Sequence, residues 1–225
     1  MWKIGALVGL LLISSCTANF CYSDVESACN TRESMGENPT LANCNAQYGA
    51  INHLLTDLQA YVSAHIDTSF EYLLMSSHFG NYDSNRDGFK GFFRKMSDKA
   101  WENAIDLIKF ITKRGGKMNF NVLPRIKRSD KNLVLELPEI NSLARALDTE
   151  KQMANEALHI HNIAEHHANK HDASVSHYIE EKFIEPQAET IRTLAGHTND
   201  LKRLLSDNDA AVSLFMFDEY LKSTL

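Results

Sequence analysis

Two side chains that could bind a metal ion lie at the centre of helical patterns in this 225-residue chain, the carboxylate of Glu150 and the carboxamide of Gln187. On a helical projection, both lie within the arc of their apolar neighbours, so both are predicted to point into a bundle. A glutamate in that position needs a hydrogen-bonding partner or a metal ion. The pair therefore resembles a metal–carboxylate bundle from which most ligands have been removed. The apolar neighbours are Leu143, Leu147, Ala154 and Ala157 for Glu150, and Phe183, Ile184, Ile191 and Leu194 for Gln187.

A dinuclear iron site in a helical bundle needs several oxygen ligands and at least one imidazole, typically from an inward Glu-x-x-His pair. The sequence contains one such spacing, Glu156 and His159. Both lie about 120° to 180° from Glu150 around the helix. We therefore predict that they face outward and are not part of such a site.

Long amphipathic stretches predict the helices that would position these side chains. The predicted helices span residues 51 to 79, 89 to 113, 139 to 168 and 174 to 205, with a short apolar fifth helix from 210 to 221. Pro186 lies inside the fourth helix and is expected to kink it. A connection as long as residues 117 to 138 usually crosses a bundle. The predicted fold class is all-α, a four-helix bundle with a long crossover loop.

The second and fifth predicted helices carry more apolar surface than one core can cover. On the second helix, Trp101, Ile105 and Ile108 lie nearly opposite the stripe that contains Ala100 and Leu107. The fifth helix is too apolar to lie alone on the surface of a monomer. We infer that a loop or another subunit covers the second stripe.

The N-terminal residues have the pattern of a secretory signal. Lys3 is followed by ten apolar residues, and small residues at 16 to 18 suit cleavage. We predict a signal peptide at 1–18, a cysteine-bearing arm at 19–45 and a bundle domain at 46–225. The apolar run is too short to span a membrane, which needs about 20 residues. A net charge of -6 favours a soluble surface that does not bind nucleic acid.

Cleavage after residue 18 would leave three cysteines, Cys21, Cys29 and Cys44. An odd number in an oxidising compartment favours a disulfide with another chain, and a free buried thiol is the alternative. A basic patch at 125–128 (Arg125, Lys127 and Arg128) is interpreted as a solvated loop rather than a polyanion site.

The chain resembles the ferritin family over roughly residues 45 to 222. The resemblance is carried by the strings YLLMS (72–76), TKRGG (112–116), ALDTEK (146–151) and YIEEKFIEPQ (178–187), and by the short fifth helix. With its signal peptide and cysteine-bearing arm, the chain looks most like the secreted insect subunits of the light-chain type. That resemblance implies a ferritin-like four-helix bundle, a 24-subunit shell shared with a heavy-chain subunit, and a ferric (Fe³⁺) mineral core.

The resemblance also identifies the positions of the family's ferroxidase centre. The family pattern is Glu at 65, Tyr at 72, acids at 99 and 100, His at 103, Glu at 150 and Gln at 187. The residues of this chain at those positions are His65, Tyr72, Lys99, Ala100, Asn103, Glu150 and Gln187. The loss at 65, 99, 100 and 103 implies a subunit that is not an enzyme, in which Tyr72, Glu150 and Gln187 are residual metal positions.

Light chains of the family usually carry cavity-facing acids on the second helix that nucleate the mineral. The residues at those positions here are Gly91, Arg94, Lys95 and Asp98, so one acid remains. A nucleating role for this subunit is therefore left open.

Six histidines crowd the end of the third helix and the start of the fourth. They are His159, His161, His166, His167, His171 and His177. By resemblance, His161, His177 and Glu180 lie at pore-lining positions near a three-fold axis, where His177 replaces the usual acid. A role in metal transit is one interpretation, and solvated histidines at a corner are the other.

These features favour a non-catalytic subunit of a secreted iron-storage shell that works with ferroxidase-bearing heavy subunits. The expected location is the secretory pathway (ER and Golgi) and the extracellular space. Two alternatives stay open from the sequence alone. The first is a ferroxidase with a rearranged site built from His65, Tyr72, Glu150 and Gln187, and the second is a secreted helical carrier or interaction bundle.

Overall fold

The computed structural model describes residues 20–30, 41–126, 137–166, 171–206 and 209–224, with the side chains of residues 29 and 30 excluded. Within these ranges the regular structure is entirely helical. The helices are α1 (Cys21–Asn30), α2 (Ile51–Phe79), α3 (Asp87–Lys113), α4 (Glu139–His166), α5 (Ala173–Ile179), α6 (Glu185–Leu204) and α7 (Ala210–Ser223). The described residues divide into two compact units, one that ends at Ala46 and one that begins at Gln47.

The second unit is the predicted four-helix bundle with an added C-terminal helix. Helices α2 and α3 form one antiparallel hairpin, α4 packs against α5 and α6, and α7 packs mainly on α3. The predicted all-α fold is therefore confirmed. The bounds of α2 agree with the prediction, whereas α3 begins two residues earlier, at Asp87. Residues 167 and 168 of the predicted third helix lie outside the described residues.

The irregularity expected at Pro186 takes the form of a π-helical turn, Glu180–Ile184, between α5 and α6. The Glu185 N–H donates to the Glu180 carbonyl, five residues earlier. Proline has no N–H, and its ring crowds the carbonyl four residues before it. One wider turn just ahead of Pro186 relieves that crowding and lets α5 and α6 continue as one helical element.

The interior of the bundle consists of two apolar clusters with polar side chains between them. One cluster contains Leu58, Tyr61 and Phe183, and the other contains Tyr72, Phe93 and Leu194. Between the clusters lie buried polar side chains such as Ser69 and Ser97, whose hydroxyl oxygens are 3.3 Å apart. The sequence therefore places a polar layer across mid-bundle, where an unbroken apolar core would be more stabilising.

A buried ion pair closes one end of the bundle. Arg114 donates to the Asp172 carboxylate at 2.9 and 3.2 Å, and both side chains are only 3% exposed. Asp172 also accepts the backbone N–H groups of Ala50 at 3.0 Å and Val175 at 3.2 Å. Arg114 in turn donates to the Tyr48 carbonyl and lies 3.9 Å over the Tyr48 ring. This cluster joins the end of α3 to the starts of α2 and α5.

Helix α7 is fixed to α3 at a very close approach. Asp218 accepts the Phe89 N–H at 3.0 Å and so caps the first turn of α3. A Cβ atom at Gly88 would lie 2.0 Å from the Asp218 carbonyl oxygen, so no larger residue fits there. Even so, large apolar side chains of α7 stay exposed, namely Val212, Phe215, Met216 and Tyr220.

The first unit contains a disulfide between Cys21 and Cys44. Asp24 on α1 accepts the Asn43 backbone N–H at 2.7 Å and its amide at 3.0 Å. The predicted arm therefore includes a helix. The pairing removes Cys21 and Cys44 from the predicted interchain candidates because each already has a partner within the chain, and this corrects that part of the prediction.

The remaining N-terminal predictions lie outside the described residues. The Cys29 side chain and the predicted signal peptide at 1–18 are both among the parts not described. None of the described helices is long and apolar enough to cross a membrane.

We predict that Asp172→Ala lowers the free energy of unfolding by about 3–5 kcal/mol, because it leaves the buried Arg114 charge uncompensated. Burial acts to raise the pKa of Asp172, but hydrogen bonds from Arg114 and from backbone N–H groups hold it below its usual range. The ion pair therefore contributes above the unfolded pKa, and the deficit of the variant should shrink as the pH falls below about 4. Urea denaturation at pH 7 and pH 3.5 measures both effects.

The matched control is Asp98→Ala, which removes the partner of Arg94 in an exposed pair at 3.0 Å. Exposed pairs contribute less than about 1 kcal/mol. If both variants lose the same free energy of unfolding, the buried Arg114–Asp172 pair does not stabilise the fold more than an exposed pair does.

Candidate metal centre

The structure brings Tyr72, Glu150 and Gln187 together between the two apolar clusters. The Tyr72 hydroxyl donates to Glu150 Oε1 at 2.7 Å. The Gln187 amide donates to Glu150 Oε2 and, at 3.2 Å, to the Glu150 backbone carbonyl. Three helical elements, α2, α4 and α6, therefore meet at one carboxylate, and each carboxylate oxygen already has a protein donor.

Burial governs the protonation of this cluster. Desolvation raises the pKa of Glu150, while the Tyr72 hydrogen bond and the Lys99 charge act in the opposite direction. Burial also raises the pKa of Tyr72 well above its usual value, and the nearby Glu150 raises it further. Tyr72 therefore stays a protonated donor, and its hydrogen bond and that of Gln187 offset part of the cost of burying the carboxylate.

His65 occupies a position where the family pattern requires a carboxylate, and it packs as an aromatic ring. It is 2% exposed, and neither ring nitrogen has a hydrogen-bond partner among the described residues. Its ring centroid lies 4.5 Å from that of Tyr61 and 5.3 Å from that of Phe183. Burial, with a contribution from Lys99, lowers the pKa of His65 to about 3. The imidazole is therefore neutral at physiological pH.

The α3 residues Lys99, Ala100 and Asn103 line a cavity of about 30 Å³ that also touches Glu150 and Gln187. That volume holds about one or two water molecules. The Lys99 ammonium donates to Thr190 Oγ1 at 3.0 Å and has no ion-pair partner among the described carboxylates.

These residues do not fit a pair of iron ions. Such a site needs several anionic oxygen ligands, and one carboxylate is present with an ammonium group beside it. Within the described residues, no group of three or more His, Cys, Asp or Glu side chains is arranged to hold a metal.

The Glu-x-x-His pair points away from Glu150 but is not simply exposed to solvent. The Glu156 side chain is only 12% exposed, and burial raises its pKa. Arg125, from the connection after α3, lies 4.0 Å from Glu156 Oε1 and 2.8 Å from His159 Nε2, and it also pairs with Asp57. The pair therefore faces away from Glu150, as predicted, and Arg125 covers Glu156 from outside the helix. Periodicity within α4 could not reveal a cover supplied by a distant segment.

The same contacts revise the interpretation of the basic patch. Arg125 is half-exposed, and it ties the connection to α2 and α4 rather than extending freely into solvent. Lys127 and Arg128 lie outside the described residues.

Two of the three predicted pore residues lie together. His161 Nε2 lies 3.9 Å from Glu180 Oε2 and 3.1 Å from the Ser176 hydroxyl. His177 instead lies beside Glu181, at 3.6 Å, with its side chain 76% exposed. His167, another of the six clustered histidines, lies outside the described residues.

The acid that remains at the possible nucleation positions already has a partner. Asp98 accepts from Arg94 Nε at 3.0 and 3.1 Å. The neighbouring Lys95 is exposed. This pairing lowers the local negative charge that mineral nucleation would need.

Comparisons with known proteins agree with this architecture. The ferritin-like domain family matches residues 55–204. The chain is 44% identical to the ferritin light chain of Trichoplusia ni over 96% of this chain and 95% of that protein. It is 40% identical to the ferritin light chain of Drosophila melanogaster over 90% of this chain and 89% of that one. The crystal structure of Trichoplusia ni secreted ferritin superposes with a TM-score of 0.85 at 44% identity and covers 92% of this chain and 100% of that chain.

We predict that Glu150→Gln stabilises the folded chain at pH 7 to 8. Burial raises the pKa of Glu150 in the folded chain. Ionisation of this residue therefore lowers the stability of the fold as the pH rises from the pKa of the unfolded chain toward that of the folded chain. A glutamine stays neutral, and Gln187 can turn its amide oxygen toward the new donor. The gain over wild type should therefore disappear near pH 4, as measured by urea denaturation across this pH range.

Glu102→Gln, at an exposed position of α3, is the control and should show no pH-dependent gain. If Glu150→Gln is less stable than wild type at pH 8, the hydrogen bonds to the ionised carboxylate outweigh its desolvation.

Proposed function

This chain belongs to the ferritin family, and we propose that it is a non-catalytic subunit of a secreted shell that stores ferric iron as a mineral. The observation that carries the proposal is the mid-bundle cluster, in which Glu150 is held by Tyr72 and Gln187 with Lys99 nearby. Iron is the cargo of such a shell. This subunit forms part of the protein wall and does not itself oxidise the iron.

Charge alone argues strongly against paired iron at this cluster. Two Fe²⁺ ions about 4 Å apart repel by roughly 16 kcal/mol at an effective dielectric constant of 20. Carboxylates between the ions must offset that repulsion. The site has a single carboxylate whose two oxygens accept from Tyr72 and Gln187, and Lys99 adds a positive charge.

A rearranged ferroxidase built from His65, Tyr72, Glu150 and Gln187 is disfavoured for the same reason. His65 supplies no negative charge, and its ring is packed between aromatic side chains. Its two unpaired nitrogens could ligate one metal ion at most, after displacing neighbours. Membership of the ferritin family argues against the alternative hypothesis that this chain is an independent helical carrier.

We propose that oxidation is supplied by heavy-chain subunits within a mixed 24-subunit shell. Exposed apolar side chains on separate helices support a role in assembly, because contiguous apolar surface on a soluble protein marks interaction sites. They include Phe70 and Leu74 on α2, Trp101 on α3, which is 48% exposed, and Phe215 on α7. Trp101 belongs to the second stripe of α3, for which another subunit is the proposed cover.

We propose that the chain passes through the ER and Golgi after loss of residues 1–18. The Cys21–Cys44 disulfide supports this route, since structural disulfides form in oxidising compartments. The structural similarity to the secreted ferritin of Trichoplusia ni supports an extracellular destination.

We propose that His161, His177 and Glu180 line a path for iron at a three-fold junction of subunits. The 3.9 Å approach of His161 to Glu180 supports this for two of them, because an imidazole and a carboxylate together suit transient binding of divalent iron. The replacement of an acid by His177 would weaken the attraction of the pore for cations relative to a fully acidic one.

We predict that restoring the four missing ligands creates Fe(II) oxidation. The combined variant is His65→Glu, Lys99→Glu, Ala100→Glu and Asn103→His, with Tyr72, Glu150 and Gln187 unchanged. Wild-type homopolymer should oxidise Fe(II) at the rate of the protein-free solution, and the variant should do so at least about tenfold faster, since one order of magnitude needs only about 1.4 kcal/mol of barrier. Stopped-flow absorbance measures both rates.

The matched control adds Glu150→Ala to the restored set and should lose the gain. Circular dichroism and native mass must first show that each variant folds and assembles. Oxidation by the wild-type homopolymer as fast as by a heavy subunit would refute the proposed non-catalytic role.

We predict that Cys29 forms a disulfide with another chain, because Cys21 and Cys44 are paired with each other and an unpaired thiol seldom persists in an oxidising compartment. On non-reducing gels of alkylated particles, Cys29→Ser should remove the covalent dimer band. The double variant Cys21→Ser/Cys44→Ser should retain it. A wild-type sample that runs only as monomer would contradict the interchain bond.

A further inference from the structure

A groove of about 360 Å³ lies between α3, α6 and α7, beside the mid-bundle cavity. Its volume falls in the range of small-molecule sites, about 300–1,000 Å³. It has residues of its own from all three helices, and it shares Met96, Lys99 and Thr190 with the smaller cavity. Nothing in the storage role proposed above uses this groove.

The floor of the groove is apolar and uncharged. Phe92 and Met96 contribute apolar surface, and Tyr220 adds an aromatic wall from α7. The His197 ring lies 5.6 Å from that of Phe92 and 6.0 Å from that of Tyr220. Burial lowers the pKa of His197 although Asp200 acts in the opposite direction, so the ring is neutral at physiological pH. Such a floor favours the apolar body of a ligand.

The edge of the groove carries two positive charges, those of Lys95 and Lys99. Neither forms an ion pair with a carboxylate among the described residues. Other cations of the same helix do, at Lys90–Asp87, Arg94–Asp98 and Lys109–Asp106.

Among the described residues, Glu189 is the one carboxylate that lines the groove, and it is already paired with an arginine. Glu189 accepts from Arg192 at 2.9 and 2.5 Å. The two lysines of the groove are therefore left without a partner carboxylate in the described part of the chain, beside apolar side chains.

We propose that this groove binds an amphiphilic carboxylate, with its apolar body on Phe92, Met96 and Tyr220 and its carboxylate between the Lys95 and Lys99 ammonium groups. The ligand class follows from the combination of an apolar floor with two unpaired cations at one edge. A neutral lipid would leave both cations without a partner, and a cationic amphiphile would be repelled by them.

Inorganic phosphate fits the groove less well, although three threonines line it. The hydroxyls of Thr190, Thr193 and Thr224 already donate to protein acceptors at Pro186, Glu189 and Leu221. A phosphate ion would therefore gain the two ammonium groups only and would cover none of the apolar floor.

The test is isothermal titration calorimetry of the assembled, iron-free particle with decanoate, octanoate, decanol and inorganic phosphate as probes. Decanoate should bind more tightly than octanoate by roughly tenfold, since each buried methylene contributes about fourfold. Decanol and phosphate should each bind at least tenfold more weakly than decanoate. These comparisons separate the contribution of the apolar body from that of the charged head.

Variants then locate the site. Lys95→Gln should weaken decanoate binding about fivefold, the effect expected for one exposed charge pair, and Tyr220→Ser should weaken it by shortening the apolar wall. Lys113→Gln, an exposed lysine at the end of the same helix, is the matched control and should leave binding unchanged. Lys95 is chosen because it does not line the mid-bundle cavity, so this result is independent of the ferroxidase test.

Three results would overturn the proposal. Equal affinity for decanoate and decanol would show that the lysines do not contribute to binding. Equal affinity of the Lys95→Gln and wild-type particles for decanoate would place the ligand elsewhere. Absence of decanoate binding to the assembled particle, with particle size unchanged by light scattering, would show that the groove takes no such ligand.

Discussion

The burial of one carboxylate constrains the rest of the mid-bundle. Glu150 lies between two apolar clusters, and its charge costs folding free energy unless donors reach both oxygens. Tyr72 and Gln187 supply those donors from two other helices. The same requirement explains why the neighbouring His65 is neutral, because a second charge in so small a polar layer would need compensation of its own. The bundle therefore holds this buried carboxylate through protein donors on two other helices.

One end of the bundle depends on a second buried charge, that of Asp172, whose hydrogen-bond donors differ from those of Glu150. Asp172 has an arginine partner and backbone donors, so its ionised form is favoured and its pKa is lowered. Gly49, with φ of 67°, lets the chain pass beside this carboxylate, and a Cβ there would lie 2.6 Å from Asp172 Oδ2. Burial alone therefore does not set the state of an acid in this protein. The number and charge of its donors decide whether the pKa rises, as at Glu150, or falls, as at Asp172.

The sequence predicted the features that recur along a single helix. It did not predict contacts between residues that are far apart in the chain. Apolar spacing gave the bounds of α2 and the inward direction of Glu150, because both follow from 3.6-residue periodicity. The resemblance to the ferritin family supplied the positions of His65 and Lys99, which periodicity could not single out. The Arg114–Asp172 pair joins residues 58 apart in the chain, and no local pattern marks such partners. The contact of Glu156 with Arg125 was missed for the same reason, since Arg125 lies in the connection after α3.

Lys99 lines both cavities beside α3. Its ammonium opposes the rise that burial causes in the pKa of Glu150, and it donates to Thr190. A carboxylate at position 99, as the family pattern requires for iron oxidation, would place a negative charge beside Lys95 and form an ion pair there. The groove would then have no unpaired cation to offer an organic anion. Lys99 therefore places a positive charge near Glu150 and, at the same time, supplies part of the positive edge of the neighbouring groove.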